Sequence, residues 1–262
     1  MQTHSFLSKN QQHLLGIYGG VGPLSHVQFE KELLAESYAR GARADQDHPV
    51  WILVNGAATP DRTSSLLNGQ TPSVPHMNHF AKVLENAGAD YMFVICNTAH
   101  GYHKDVQREL AIPWVHLMRI VAEYIVKTMP QVNNVGILGT DATIKLRLYH
   151  DALEKFNLKP ISPEVGSKTQ QDVMDAIYNK TFGVKATGDS VSKKAENHLI
   201  NAANFLVEQG AQVVIAGCTE ISVALTKEIY PKVPIIDPLK IAAAVALDIA
   251  FGKRKPQEFL IV

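Results

Sequence analysis

The fold is read from two stretches, AGADYMFVICNTAH at residues 87–100 and QGAQVVIAGCTEIS at residues 209–222. Each begins with a glycine just past a helical pattern and runs through a short apolar strand. Each then reaches a cysteine eight residues after the glycine. Working outward, IPWVHLMRIVAEYIV (112–126) echoes VPIIDPLKIAAAVAL (233–247), and LGIYGG (15–20) echoes VGILGT (135–140). The offsets are 120 residues from Gly16 to Gly136, 122 from Cys96 to Cys218, and 121 from Pro113 to Pro234. Three anchors at nearly one offset describe a duplicated unit.

Between the anchors, strand-length Val/Ile-rich runs such as VWILVNG (50–56) alternate with longer segments of helical spacing at 26–40, 75–89 and 195–211. Continuous apolar strands alternating with helices indicate an α/β fold with parallel sheets. The chain therefore reads as two similar α/β domains related by a pseudo-two-fold axis, with a cleft between them. The first domain is expected to take residues 1–116 plus 239–262 and the second 117–238, with the last helix packing back on the first.

Composition narrows the function. The 262 residues are 46% hydrophobic, and 25 basic side chains balance 25 acidic ones. No field of one sign recruits nucleic acid or an anionic membrane, which leaves a small molecule as the expected partner. The polar opening MQTHSFLSKNQQHLLG lacks a secretory pattern, and the apolar stretch at 241–251 is too short to span a bilayer and contains Asp248. Two cysteines without a signal peptide point to a cytoplasmic location and to free thiols rather than a disulfide.

Duplication places Cys96 and Cys218 at the carboxyl ends of equivalent strands, where open α/β sheets bind ligands. Two facing domains would bring both thiols to one cleft. Opposed thiols can invert a stereocentre, one removing a proton from carbon while the other delivers one to the opposite face. A helix N-terminus beyond each cysteine would favour the thiolate. Glu220 would oppose this at Cys218 unless it paired with a cation such as a substrate ammonium. A buried, inert pair left by an old duplication is the competing reading.

The neighbours fit an anionic ligand. Asn97, Thr98 and Thr219 follow the cysteines and offer donors to a carboxylate. Arg62, in the loop after the second strand, suits bidentate carboxylate binding, or alternatively a surface salt bridge with Asp61. Thr140 and Thr143 follow the strand equivalent to the first, and N-capping explains them equally well. GIYGGVGP (16–23) meets no nucleotide-binding register and reads as a tight turn that lets backbone approach a small anion. Cys96, His100 and His103, with His116 beyond, have zinc-like spacing. The second unit places Ser222 and Asp237 where His100 and His116 stand, so no metal site is expected.

Taken in order, GIYGGVGP, PDRT, CNTAH, GILGTDAT, IYNKTFGVKATG and GCTEIS resemble the aspartate/glutamate racemase superfamily, in its cofactor-independent aspartate racemase branch. The resemblance runs from about Leu14 to Phe251. It implies flavodoxin-like domains, an active site between them, a homodimer, and racemisation without pyridoxal phosphate, metal or other cofactor. It implies Cys96 and Cys218 as paired acid/base residues and Arg62 and Lys185 as carboxylate-binding cations, with Lys180 a rival for the second role. Asn97, Thr98, Thr140, Thr143 and Thr219 become substrate contacts, and Val21 stands where the family loop usually has methionine. The expected activity is inversion at Cα of aspartate, with glutamate the alternative. A single-cysteine isomerase or lyase of a small dicarboxylate, and a silent small-acid binding protein, remain alternatives.

Overall fold

The structure is a computed structural model that describes residues 6–69, 72–188, 190–226, 228–230 and 232–260. The start of the polar opening stretch, residues 1–5, lies outside the described residues. The first half runs β1 (Leu15–Gly19), α1 (Pro23–Ala39), β2 (Trp51–Asn55), α2 (Arg62–Asn68), α3 (Val74–Asn86), β3 (Tyr91–Val94), α4 (His103–Gln107) and α5 (Leu117–Thr128). The second half begins with β4 (Asn134–Leu138), α6 (Asp141–Lys145), α7 (Leu148–Glu154), β5 (Lys159–Ile161) and α8 (Lys168–Tyr178). It continues with α9 (Val184–Thr187), α10 (Lys193–Glu208), β6 (Val213–Ala216), α11 (Thr219–Ala224), β7 (Ile235–Ile236) and α12 (Pro238–Ala250).

The strands form two parallel sheets, ordered β2-β1-β3 and β5-β4-β6-β7. The echo in the sequence becomes an echo in register. Gly16 faces Met92 in one sheet, and Gly136 faces Val214 in the other. The Met92 N–H bonds to the Pro113 carbonyl and the Val214 N–H to the Pro234 carbonyl. Where the second sheet gains β7, the first has a single parallel bridge between Met92 and Trp114. A side chain at Gly16 would meet the Ala89 methyl at 3.0 Å, and one at Gly136 the Ala211 methyl at 3.1 Å. Each first strand thus depends on glycine for the same close approach of the segment behind it.

Local signals place the helices. Pro23 opens α1, Thr140 caps α6, Ser192 caps α10, and Asp237 caps α12 with Pro238 next. β5 and β7, three and two residues long, carry no strong run of their own, and tertiary packing supplies them. The main apolar core joins the halves. Leu15, Phe29 and Phe93 belong to one buried cluster with Val135, Ile215, Leu239 and Leu247. Helix α12 lies against α1 and α5. The carboxyl ends of β1, β3, β4 and β6 therefore open onto shared ground between the sheets. Among the described residues, no helix is long and apolar enough to cross a membrane.

Candidate active site

Both cysteines are free and lie two residues beyond strand ends, Cys96 after β3 and Cys218 after β6. They line one narrow cleft with Val21, Arg62, Asn97, Thr98, Thr140, Lys185, Thr219 and Glu220. The fold thus brings ten of the eleven residues singled out in the sequence to one surface. Thr143 is the other one. It is fully buried behind the wall, with its hydroxyl 3.2 Å from that of Thr98 and 3.1 Å from that of Thr140. Thr140 accepts from the Thr143 N–H, so it caps α6 and lines the cleft at once.

The carboxylate-binding candidates are poised differently. Arg62 gives Nη1 to the carbonyls of Thr59 and Pro60, and its buried Nε–H has no partner. Asp61 does not hold it, because that carboxylate caps α2 by accepting from the Ser64 N–H. Burial works against the Arg62 charge, but the neighbouring Cys96 sulfur and Asp61 raise its pKa overall. Asn97 is oriented from the other half of the molecule: the Tyr149 hydroxyl donates to its Oδ1 at 2.6 Å. That bond leaves the amide nitrogen of Asn97 buried without an acceptor. Two buried, unpartnered donors on one cleft wall are costly unless an anion completes them.

Lys185, not Lys180, reaches the cleft. Its ammonium pairs with Oε1 of Glu220, which differs from the substrate-ammonium contact anticipated for that carboxylate. Glu220 also accepts from the Cys218 thiol at 2.8 Å and the Thr219 hydroxyl at 3.1 Å. Burial opposes the Glu220 charge, yet Lys185 and the Cys218 hydrogen bond hold its pKa below the ordinary value. The Cys218 thiol is pushed well up by burial and then by Glu220. Its proton is therefore held at neutral pH. Gly22, at φ 110°, wraps this pair: a side chain there would sit 3.5 Å from Glu220 Oε1 and 3.8 Å from Lys185 Nζ. The glycine turn approaches an ion pair within the cleft.

Beyond the two cysteines the backbone takes different paths. Cys218 is the N-cap of α11, as expected. After Cys96 the chain instead makes a 3-10 turn over Thr98–Tyr102. The physical reason is His100, whose ring takes the Cys96 carbonyl while its backbone N–H turns to the Asn97 carbonyl. An α-helical turn would have given that carbonyl to the backbone of residue 100.

Two wall residues escaped the sequence reading. Thr63 comes after Arg62 at the start of α2, and Tyr178 closes α8. The Tyr178 hydroxyl lies 3.1 Å from that of Thr63 and 3.4 Å from Asp61 Oδ2, so it joins the halves across the cleft. The signal lay within PDRT and IYNKTFGVKATG, but 115 residues separate the partners. Ser25 likewise hydrogen-bonds Thr219 across the same boundary.

A pattern match to the Asp/Glu/Hydantoin racemase family covers residues 19–246. The chain belongs to that family. It is similar to the Picrophilus torridus aspartate racemase, at 28% identity over 95% of this chain and 98% of that one, with a TM-score of 0.75. It is also similar to a broad specificity amino-acid racemase of Bacillus subtilis, 24% identical over 234 residues covering 86% of this chain and 92% of the relative. A glutamate racemase of Persephonella marina is 29% identical over 189 residues, 67% of this chain and 68% of its own. Racemases are isomerases, and family membership makes this chain one.

The histidines behind Cys96 set an acid limit on this racemase-family fold. Burial, then His103, pushes His100 down to about 3, and burial likewise lowers His103 and His116. The unfolded chain binds these protons near pH 6.5, whereas the fold refuses them. Stability is therefore full above about pH 6.5 and falls on acidification, by up to about 1.4 kcal/mol per pH unit for each such histidine. Urea midpoints should drop steadily from pH 7 to pH 5. A flat profile across that range would show that the imidazoles are charged in the fold.

Proposed function

We propose that the protein inverts Cα of an acidic amino acid, aspartate in the first place and glutamate second, by proton transfer between Cys96, substrate and Cys218. The observation that carries this reading is one narrow cleft holding two thiols from the two halves together with two cations and two unsatisfied buried donors. The named activities of its relatives point the same way.

In this reading the α-carboxylate lies against Arg62 Nε and the Asn97 amide, a charge-assisted pairing that holds the substrate by its fixed end. The side-chain carboxylate turns to Lys185, which then shares its charge between substrate and Glu220. Cys96, beside Arg62, takes the Cα proton as a thiolate. Cys218 holds a proton and returns it to carbon on the opposite face. The enantiomer runs the roles in reverse. Thr98, Thr140 and Thr219 complete the polar wall, Val21 closes the apolar side, and Thr143 supports the hydroxyls from behind. The homodimer and the cytoplasmic setting belong to the same reading.

The decisive experiment is a panel of L- and D-amino acids incubated with purified protein, without added cofactor and with chelator present. Aspartate should approach an equal mixture from either enantiomer, with glutamate slower and neutral amino acids slowest. Turnover confined to neutral amino acids, or none at all, would refute the acidic-substrate reading.

A further inference from the structure

The duplicated halves can be compared behind their cysteines as well as in front of them. Equivalent to Cys96 and Cys218 at an offset of 122 are His100 and Ser222, and at an offset of 121 His116 and Asp237. His100 Nδ1 lies 2.9 Å from the Cys96 carbonyl oxygen, and its Nε2 accepts the Leu117 N–H at 3.2 Å. A carbonyl only accepts and an N–H only donates, so the ring carries its proton on Nδ1 and has no free nitrogen. It is 3% exposed and wedged against Trp114 and His116, with ring centroids at 4.9 and 5.0 Å.

In the second half, backbone does part of this work. The Ile221 and Ser222 N–H groups bond to the Cys218 carbonyl. The Ser222 hydroxyl then donates to Asp237 Oδ1 at 3.0 Å, and the same oxygen accepts the Leu239 N–H at 2.9 Å. Both arrangements tie the turn after a cysteine to the first turn of a later helix, α5 in one half and α12 in the other. His100, Ser222 and Asp237 are not among the residues lining the cleft.

We propose that His100 and the Ser222–Asp237 pair are positioning residues, equivalent braces that each fix one sulfur independently of the other. The inference rests on the two-thiol reading of the site for its kinetic consequences. Its structural content concerns the thiols alone. The braces differ chemically, one a neutral imidazole and the other a hydroxyl on a carboxylate. Substitution should therefore disturb one cysteine at a time. A group held by hydrogen bonds at both ends loses its geometry when either is removed, and a displacement of about 1 Å can cost on the order of a hundredfold in rate.

The test uses the full chain carrying His100→Leu, His100→Gln or Ser222→Ala. Iodoacetamide labelling is followed by peptide mass spectrometry, so that Cys96 and Cys218 are read separately. His100→Leu should change the Cys96 labelling rate about tenfold or more while Cys218 stays within about twofold, and Ser222→Ala should do the reverse. Aspartate kcat should fall about ten- to a hundredfold in His100→Leu with KM nearly unchanged. His100→Gln should recover most of both effects, because its amide also offers an N–H donor and a carbonyl acceptor. If His100→Leu does not fold, the Ser222→Ala arm decides. Labelling that shifts at both cysteines together, or at neither, in folded His100→Leu or Ser222→Ala overturns the proposal. A wild-type protein that labels as expected yet racemises nothing refutes the function and leaves the braces standing.

Discussion

Cys96→Ala and Cys218→Ala should each lose net aspartate racemisation by about a thousandfold or more, because in the proposed scheme each removes one of two proton-transfer groups. Neither variant should be inert. Each keeps one thiol, and that thiol can exchange the α-proton of one enantiomer with solvent while the configuration is retained. In deuterium oxide, the two variants should label opposite enantiomers. Cys96→Ala should also depend on pH, because it keeps a thiol that burial and Glu220 hold protonated. Its exchange should accordingly rise as pH is raised above neutrality. Proton NMR of aspartate in deuterium oxide, with chiral analysis, reads both quantities. Near wild-type racemisation in either variant would rule out the two-base scheme and favour a single-cysteine mechanism.

Arg62→Leu should weaken kcat/KM for aspartate roughly 30- to 4000-fold, the range expected when one partner of a buried, hydrogen-bonded charge pair costs about 2–5 kcal/mol. The loss should fall on every amino acid tested, because the α-carboxylate is common to all of them. Arg62→Lys should recover little. An ammonium cannot hold the carbonyls of Thr59 and Pro60 while also presenting a planar donor to the substrate. Chemical denaturation separates loss of binding from loss of fold. If aspartate KM and kcat survive in Arg62→Leu, the α-carboxylate is held elsewhere. Loss limited to acidic amino acids would assign Arg62 to the side-chain carboxylate instead.

Much of this site was legible in sequence because duplication prints its geometry twice. Cys96 and Cys218 occupy the same place in two copies of one unit, so their convergence follows once the copies face each other. Arg62 was singled out from its loop after the second strand, and Lys185 only through the family resemblance; both line the cleft. The turn after Cys96 was not, since nothing in CNTAH says that a histidine ring will take the carbonyl an α-helix would use. That the cation beside Glu220 is Lys185 was not legible, because the two lie 35 residues apart on different helices. Tyr178 and Thr63 went unseen for the same reason: their contact joins two halves that share no local pattern.

The sequence by itself determined the α/β class, the repeat, the strand-end position of both cysteines and the family. The first three follow from periodicity and spacing and the family from the resemblance of ordered motifs, all of which are local. Only the tertiary structure decided which charges meet, which donors remain unsatisfied and that burial raises the Cys218 pKa. Each of these depends on burial and on neighbours brought together across the cleft. Desolvation and pairing at a few ångströms decide them, and linear spacing carries no record of either.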